Sequence, residues 1–204
     1  MFGQSTLNGG AGNDDLEGQD GQFTLNGEAG DDVLSSGFNA IATLNGGAGN
    51  DKLFVTDKGT YQLLGGAGND VLHVFAGFDA DYTLSGGAGA DLFKYSVDDA
   101  DLGNVEKNII TDFAGAGAGI GDRIDLTTID ANDTLTGNQA FTYIGSNPFT
   151  FVSSLGFFHV PGQLRYSGGV LQGNTDFDGA AEFEIQLIGA PALVVGGAGT
   201  DILL

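Results

Sequence analysis

Gly9-Gly10-Ala11-Gly12-Asn13-Asp14-Asp15-Leu16 sets the architecture, because the chain returns to it four more times. It comes back as Gly27-Glu28-Ala29-Gly30-Asp31-Asp32, Gly46-Gly47-Ala48-Gly49-Asn50-Asp51, Gly65-Gly66-Ala67-Gly68-Asn69-Asp70 and Gly86-Gly87-Ala88-Gly89-Ala90-Asp91. The steps are 18, 19, 19 and 21 residues. A short apolar element precedes each copy: Thr6-Leu7, Thr24-Leu25, Thr43-Leu44, Gln62-Leu63 and Thr83-Leu84. One unit therefore reads as strand, glycine-rich turn, strand and second turn. So short a period excludes a helix pair and fits one coil of a two-sided β-solenoid. Leu7, Leu25, Leu44, Leu63 and Leu84 then stack as one inward ladder, facing a second made of Leu16, Leu34, Leu53, Leu72 and Phe93. Strand alternation sends Thr24, Glu17 and Lys52 outward.

Composition agrees. Among 204 residues there are 37 Gly and 3 Pro, with no Cys, yet 41% of the chain is hydrophobic and 15 residues are Phe, so disorder is a poor reading. Gly is not every third residue, which excludes collagen, and each interior Gly would cost a helix about 1 kcal/mol relative to Ala. A formal charge of −21 excludes unassisted nucleic-acid or anionic-membrane partners. Lys52, Lys58, Lys94, Lys107, Arg123 and Arg165 are too dispersed to make a basic patch. No run approaches the ~18 apolar residues of a membrane span, so no membrane insertion is expected. With no disulfide available, a core only two ladders thick needs another staple.

The turns supply a candidate. Asp14, Asp32, Asp51, Asp70 and Asp91 hold the same place in successive coils, so their carboxylates stack at roughly the 4.8 Å strand spacing. Unpaired, they repel; a hard divalent cation between rungs reverses the sign. Ca²⁺ accepts six to eight oxygens at about 2.3–2.6 Å, Mg²⁺ demands a tighter octahedron, and Zn²⁺ prefers nitrogen and sulfur ligands that are nearly absent here. Gly at the first, second and fourth places lets the backbone turn its carbonyls toward an ion. A metal-free turn would have no reason to keep Asp at the sixth place five times.

Gly-Gly-x-Gly-x-Asp-x-apolar-x resembles the repeat-in-toxin (RTX) nonapeptide of Ca²⁺-binding parallel β-rolls, and the assignment of calcium rests on that resemblance. The family's ligand pattern implies a position-six Asp and the carbonyls of positions two and four on one coil. Facing them on the next coil are the carbonyls of positions one and three and the position-five side chain. Carried over, the metal residues are Gly9, Gly10, Ala11, Gly12, Asn13 and Asp14; Gly27, Glu28, Ala29, Gly30, Asp31 and Asp32; Gly46, Gly47, Ala48, Gly49, Asn50 and Asp51. The later turns add Gly65, Gly66, Ala67, Gly68, Asn69 and Asp70, then Gly86, Gly87, Ala88, Gly89 and Asp91. Glu28 replaces a Gly and is expected to strain its turn, and Ala90 removes a side-chain oxygen. The alternate turns, such as Gly18-Gln19-Asp20-Gly21 and Asp57-Lys58-Gly59-Thr60, lack the motif. One row of about four ions is therefore expected, and scattered acids such as Asp57, Asp79 and Asp81 read as solvated.

After Tyr95 the period stops. Thr-, Phe- and Ile-rich runs separated by Gly, Asn and Asp read as antiparallel β-structure. Residues 86–204, with Ile110-Thr111-Asp112-Phe113 and Asp122-Arg123-Ile124-Asp125-Leu126, resemble the C-terminal domain of serralysin-type metalloproteases, which also caps other proteins exported by type I secretion. The expected fold is all-β: a parallel β-roll over residues 1–94, then an antiparallel β-sandwich-like capping domain over 95–204. Asp201 followed by Ile202-Leu203-Leu204 resembles that family's export signal, and the N-terminus lacks the basic start of a signal peptide. The resemblance implies a secreted, extracellular bacterial protein that uses type I (ABC) secretion machinery. Gly196-Gly197-Ala198-Gly199-Thr200-Asp201 matches the repeat by letters but reads as a terminal strand. Asp112, Asp122 and Asp125 are candidates to close the ion row. Asp176-Phe177-Asp178-Gly179 reads as a hairpin turn, because the spacing to a terminal Glu is wrong for an EF-hand. Gly115, Gly117, Gly119 and Gly121 do not give dinucleotide-binding spacing.

No catalysis is expected. His73 and His159 are the only histidines, both in apolar contexts, and neither a His-Glu-x-x-His nor a Gly-x-Ser-x-Gly element occurs. The chain starts almost at a repeat, so any catalytic domain is expected upstream. The rival reading is a calcium-dependent polysaccharide- or surface-binding module that holds an anionic glycan through calcium, with Tyr61 and Tyr82 as exposed aromatics.

Overall fold

The computed structural model describes residues 4–37, 39–56, 58–76, 80–97, 108–115, 121–150, 159–197 and 199–204. Asp57, Asp79, Lys107, Gly117, Gly119 and Ala198 lie outside these. Among the described residues every regular element is a strand.

The five repeat units each give two strands. On one side lie β1 (Gln4–Ala11), β3 (Gly21–Ala29), β5 (Ala40–Ala48), β7 (Gly59–Ala67) and β9 (Ala80–Ala88). On the other lie β2 (Asp15–Gly18), β4 (Val33–Ser36), β6 (Lys52–Val55), β8 (Val71–Ala76) and β10 (Leu92–Val97). Neighbours on each side pair in parallel, one coil apart. Leu7, Leu25, Leu44, Leu63 and Leu84 are in direct register. So are Leu16, Leu34, Leu53, Leu72 and Phe93. From Leu25 and Leu34 onward these side chains are fully buried, whereas Leu7, in the first coil, is 39% exposed.

A second inward layer corrects one expectation. Tyr61 and Tyr82 are 1% and 0% exposed. Their rings stack 5.7 Å apart, and their hydroxyls donate to the Lys58 carbonyl at 2.9 Å and the Phe75 carbonyl at 2.7 Å. Each stands two residues before an inward Leu, so the strand's period of two puts it on the same face. These rings are core, not a sugar platform.

Both sheets run on past residue 95. β11 (Asn108–Ile110) pairs parallel with β9, setting Ile110 on Leu84, and β12 (Arg123–Asp125) pairs with β10, setting Ile124 on Phe93. β17 (Ile202–Leu203), which lies just beyond the Gly196–Asp201 run expected as the terminal strand, adds Ile202 above Ile124. The second sheet thus holds seven parallel strands. The first continues through β16 (Phe183–Leu187), parallel to β11, and then β15 (Val170–Asn174) and β14 (Gln163–Ser167), before ending on β13 (Thr142–Tyr143). β14–β15 and β15–β16 are antiparallel. The antiparallel strands expected for the second half are therefore present, as an extension of the roll's own sheet. A two-residue turn at Gly168-Gly169, with φ of +61° and +86°, closes the β14–β15 hairpin.

Candidate metal centre

The five motif turns lie at the ends of β1, β3, β5, β7 and β9, and their Asp side chains form one column. Each carboxylate after Asp14 reaches back one coil. The Asp14 amide donates to Asp32 Oδ1 at 2.7 Å, Asp32 to Asp51 at 2.8 Å, Asp51 to Asp70 at 2.8 Å and Asp70 to Asp91 at 2.9 Å. The second oxygen of every rung has no such partner. Oδ2 of Asp14, Asp32, Asp51, Asp70 and Asp91 is buried and accepts no hydrogen bond. Among the described residues no Lys or Arg pairs with these rungs; the ion pair that does form, Lys94 to Asp125 at 4.0 Å, lies elsewhere. Burial raises the pKa of Asp51, Asp70 and Asp91, Asp70 to about 6, and the neighbouring carboxylates push in the same direction.

The backbone around Oδ2 is built of oxygens. A Cβ on Gly27 would overlap Asp32 Oδ2 and lie 2.6 Å from the Gly46 carbonyl oxygen; Gly46 and Gly65 repeat this with Asp51 and Asp70 and with the Gly65 and Gly86 carbonyls. The missing side chain at position one therefore leaves a space between a carboxylate of one coil and a carbonyl of the next. Positions two and four take positive φ, as at Gly47 (+112°) and Gly49 (+137°), and their carbonyls point at the following coil. The position-three carbonyls of Ala29, Ala48, Ala67 and Ala88 point back and accept the amides of Gly12, Gly30, Gly49 and Gly68. Anionic and carbonyl oxygens, buried and without a cationic partner, are the donor set of a hard cation such as Ca²⁺.

Position-five side chains form a separate, exposed ladder. Asn13 Oδ1 accepts the Asp31 amide, Asp31 that of Asn50, Asn50 that of Asn69, and Asn69 that of Ala90, at 2.7–3.0 Å. Ala90 ends it. Glu28 adopts φ +78°, the positive backbone angle its glycine equivalents take at lower cost.

Three acids were open candidates beyond the repeats, and the structure separates them. Asp122 Oδ1 accepts the Asp91 amide at 3.0 Å, so Asp122 continues the column as a sixth rung; its other oxygen accepts the Ala114 amide, and burial raises its pKa. Asp112 caps the last motif turn, accepting the Gly86 and Gly87 amides and the Ser85 hydroxyl. Asp125 is bound to Thr127 instead.

Four RTX calcium-binding nonapeptide repeats lie in this stretch. They match at residues 2–22, 8–40, 36–55 and 62–82. No curated protein matches the chain significantly. The RTX repeats coincide with the first coils of the roll, and the fifth turn, Gly86–Asp91, repeats their geometry beyond the last match.

The histidines lie apart. His73 stacks on Phe75 at 4.7 Å with Nε2 2.9 Å from Ser96 Oγ, and burial followed by nearby Lys94 lowers its pKa. His159 packs its ring over Gly179. Arg165 lies over the Phe149 ring at 4.6 Å.

Proposed function

We propose that this chain is the calcium-responsive module of a protein exported by a type I system, and that it folds on meeting extracellular Ca²⁺. The observation that carries the reading is the column of buried, partnerless Oδ2 atoms, one per coil. The five rungs with a partnerless Oδ2, Asp14 to Asp91, enclose four intervals, so the row is proposed to hold about four ions; Asp122 adds a sixth carboxylate whose second oxygen is taken by the Ala114 amide. Calcium, when bound, supplies the positive charge the column lacks. The chain's own residues supply the rest: position-one glycines leave the space, positive-φ glycines aim the carbonyls, and amide bonds to Oδ1 fix each carboxylate.

At the sub-micromolar Ca²⁺ of a cell interior, repulsion along the column and the ordering cost of the glycines keep the chain unfolded and able to thread an exporter. At millimolar Ca²⁺, each site bound only in the native state adds RT ln(1 + [L]/Kd), about 2.7 kcal/mol at a hundredfold excess. The serralysin-like sequence elements of residues 86–204 support a C-terminal export signal ending in Asp201-Ile202-Leu203-Leu204. A secreted location follows from that reading, and no catalytic role is proposed for the chain itself.

Far-UV circular dichroism during a Ca²⁺ titration tests the proposal. Strand signal should appear cooperatively and vanish in EGTA, and Asp51→Asn, at mid-column, should raise the Ca²⁺ midpoint at least severalfold. An unchanged β spectrum in EGTA would overturn it.

A further inference from the structure

The loop joining β15 to β16 is the hairpin turn the sequence suggests, yet it also gathers three carboxylates that the roll does not use. Oxygens of Asp176, Asp178 and Glu182 lie within 4.8 Å of one another. The Asp178 amide donates to Asp176 Oδ1 at 2.7 Å, the Ala180 amide to Asp178 Oδ1 at 2.7 Å, and the Thr175 amide to Glu182 Oε2 at 2.5 Å. The His159 ring covers Gly179. These contacts aim the three acids at one another without neutralising them. Among the described residues no Lys or Arg pairs with any of the three, and Asp133 adds a further negative charge toward Asp176.

A second observation comes from beneath the loop. Asn174 and Thr175 are both 0% exposed, and neither Asn174 Oδ1 nor Thr175 Oγ1 has a hydrogen-bond partner. The Asn174 amide nitrogen donates to the Ala180 carbonyl at 2.8 Å, which holds that side chain inside the loop, between Asp178 and Glu182 in sequence. A buried acceptor left unmatched is costly. Asn174 Oδ1 and the ionised Asp176 and Asp178 can only accept, and a cation that displaces any proton from Glu182 answers the whole group.

We propose that Asp176, Asp178 and Glu182, on the loop into which Asn174 is tied through Ala180, form a separate site for one hard divalent cation of the calcium type. An all-oxygen set disfavours zinc and copper, and an irregular cage rich in carboxylates suits Ca²⁺ better than octahedral Mg²⁺. Burial and the two aspartates raise the Glu182 pKa to about 7, a consequence of the same crowding. Occupied, the site would pin β15 to β16 and, through the β16–β11 pairing, hold the antiparallel strands against the roll. It uses no residue of the Asp column and stands independently of the proposal made for it.

The test uses the full chain folded in saturating Ca²⁺. Equilibrium dialysis should find one ion fewer per chain in Asp178→Asn and in Glu182→Gln, each of which keeps its hydrogen-bond acceptor, with the Ca²⁺ midpoint of the roll changed less than twofold. Trace Gd³⁺ added to the folded wild type should broaden the Gly179 and Ala180 amide signals beyond detection, and the variants should keep them sharp. Equal ion counts in all three proteins, or a sharp Gly179 signal in wild type while the roll glycines broaden, would overturn the site. Should the variants not fold, the wild-type Gd³⁺ experiment decides alone. Failure of the roll reading would appear elsewhere, as sharp Gly47 and Gly66 signals.

Discussion

Gly12 and Gly68 occupy the same turn position with φ of +107° and +137°, yet a methyl group would meet different surroundings at each. At Gly12 nothing lies within 4 Å, whereas at Gly68 the methyl would overlap the Gly49 carbonyl oxygen of the coil before it. Gly12→Ala should therefore cost only the backbone strain, of order 1–3 kcal/mol, and Gly68→Ala roughly 1–3 kcal/mol more for the overlap. Thermal melts at fixed Ca²⁺ measure the difference, and equal losses would contradict the close stacking of carbonyls. Tyr95 makes the opposite case: it is 1% exposed and its hydroxyl has no partner. Tyr95→Phe should raise stability or leave it unchanged, by up to about 1–2 kcal/mol in chemical denaturation. The burial of Tyr61 and Tyr82 was already legible in the strand period, two residues ahead of Leu63 and Leu84. Their hydroxyls need no solvent, because the Lys58 and Phe75 carbonyls accept them.

In the coil that follows the last motif, the chain turns after β11 at Thr111-Asp112 instead of through a glycine-rich nonapeptide. Asp112 accepts two amides and a hydroxyl from Ser85, Gly86 and Gly87, standing in for the backbone that another nonapeptide turn would offer. Asp112→Ala should lower stability by roughly 1–3 kcal/mol and speed amide exchange at Gly86 and Gly87 selectively; uniform exchange rates would show that it caps nothing. The Asp column could be read from its spacing because every rung repeats within 18 to 21 residues. Asp122 could not be placed that way. It reaches the column across a stretch of different length, and only the pairing of β12 with β10 sets it above Asp91. Glu182 was illegible for a related reason: its sequence distance from Asp178 does not fit an EF-hand, and the β15–β16 hairpin closes that distance in space.

For the molecule as a whole, the raised pKa values of Asp51, Asp70, Asp91 and Asp122 fix a pH dependence. Each folded value lies above the ordinary 3.8, so in the metal-free chain the native state holds protons that the unfolded state releases. That contribution is fully present below about pH 4 and is lost as pH rises through about 6, the value for Asp70. Metal-free protein should gain strand signal on acidification across that window, whereas in Ca²⁺ protons compete with the ion and the midpoint should rise as pH falls. Circular dichroism in chelator-treated buffer, with and without added Ca²⁺, reads both trends; a metal-free signal flat from pH 7 to 4 would argue against the buried column. In the second half, sequence reading found the antiparallel strands but not their place, because nothing local signals that β11, β12 and β17 continue the inward ladders. The amide-to-carboxylate bonds along the column all run in one sense, each rung receiving its donor from the coil before it. The column thus has a direction, and beyond its last motif turn it is closed by Asp112 and Asp122. Erosion by heat or protease should reach the coils next to that closure last.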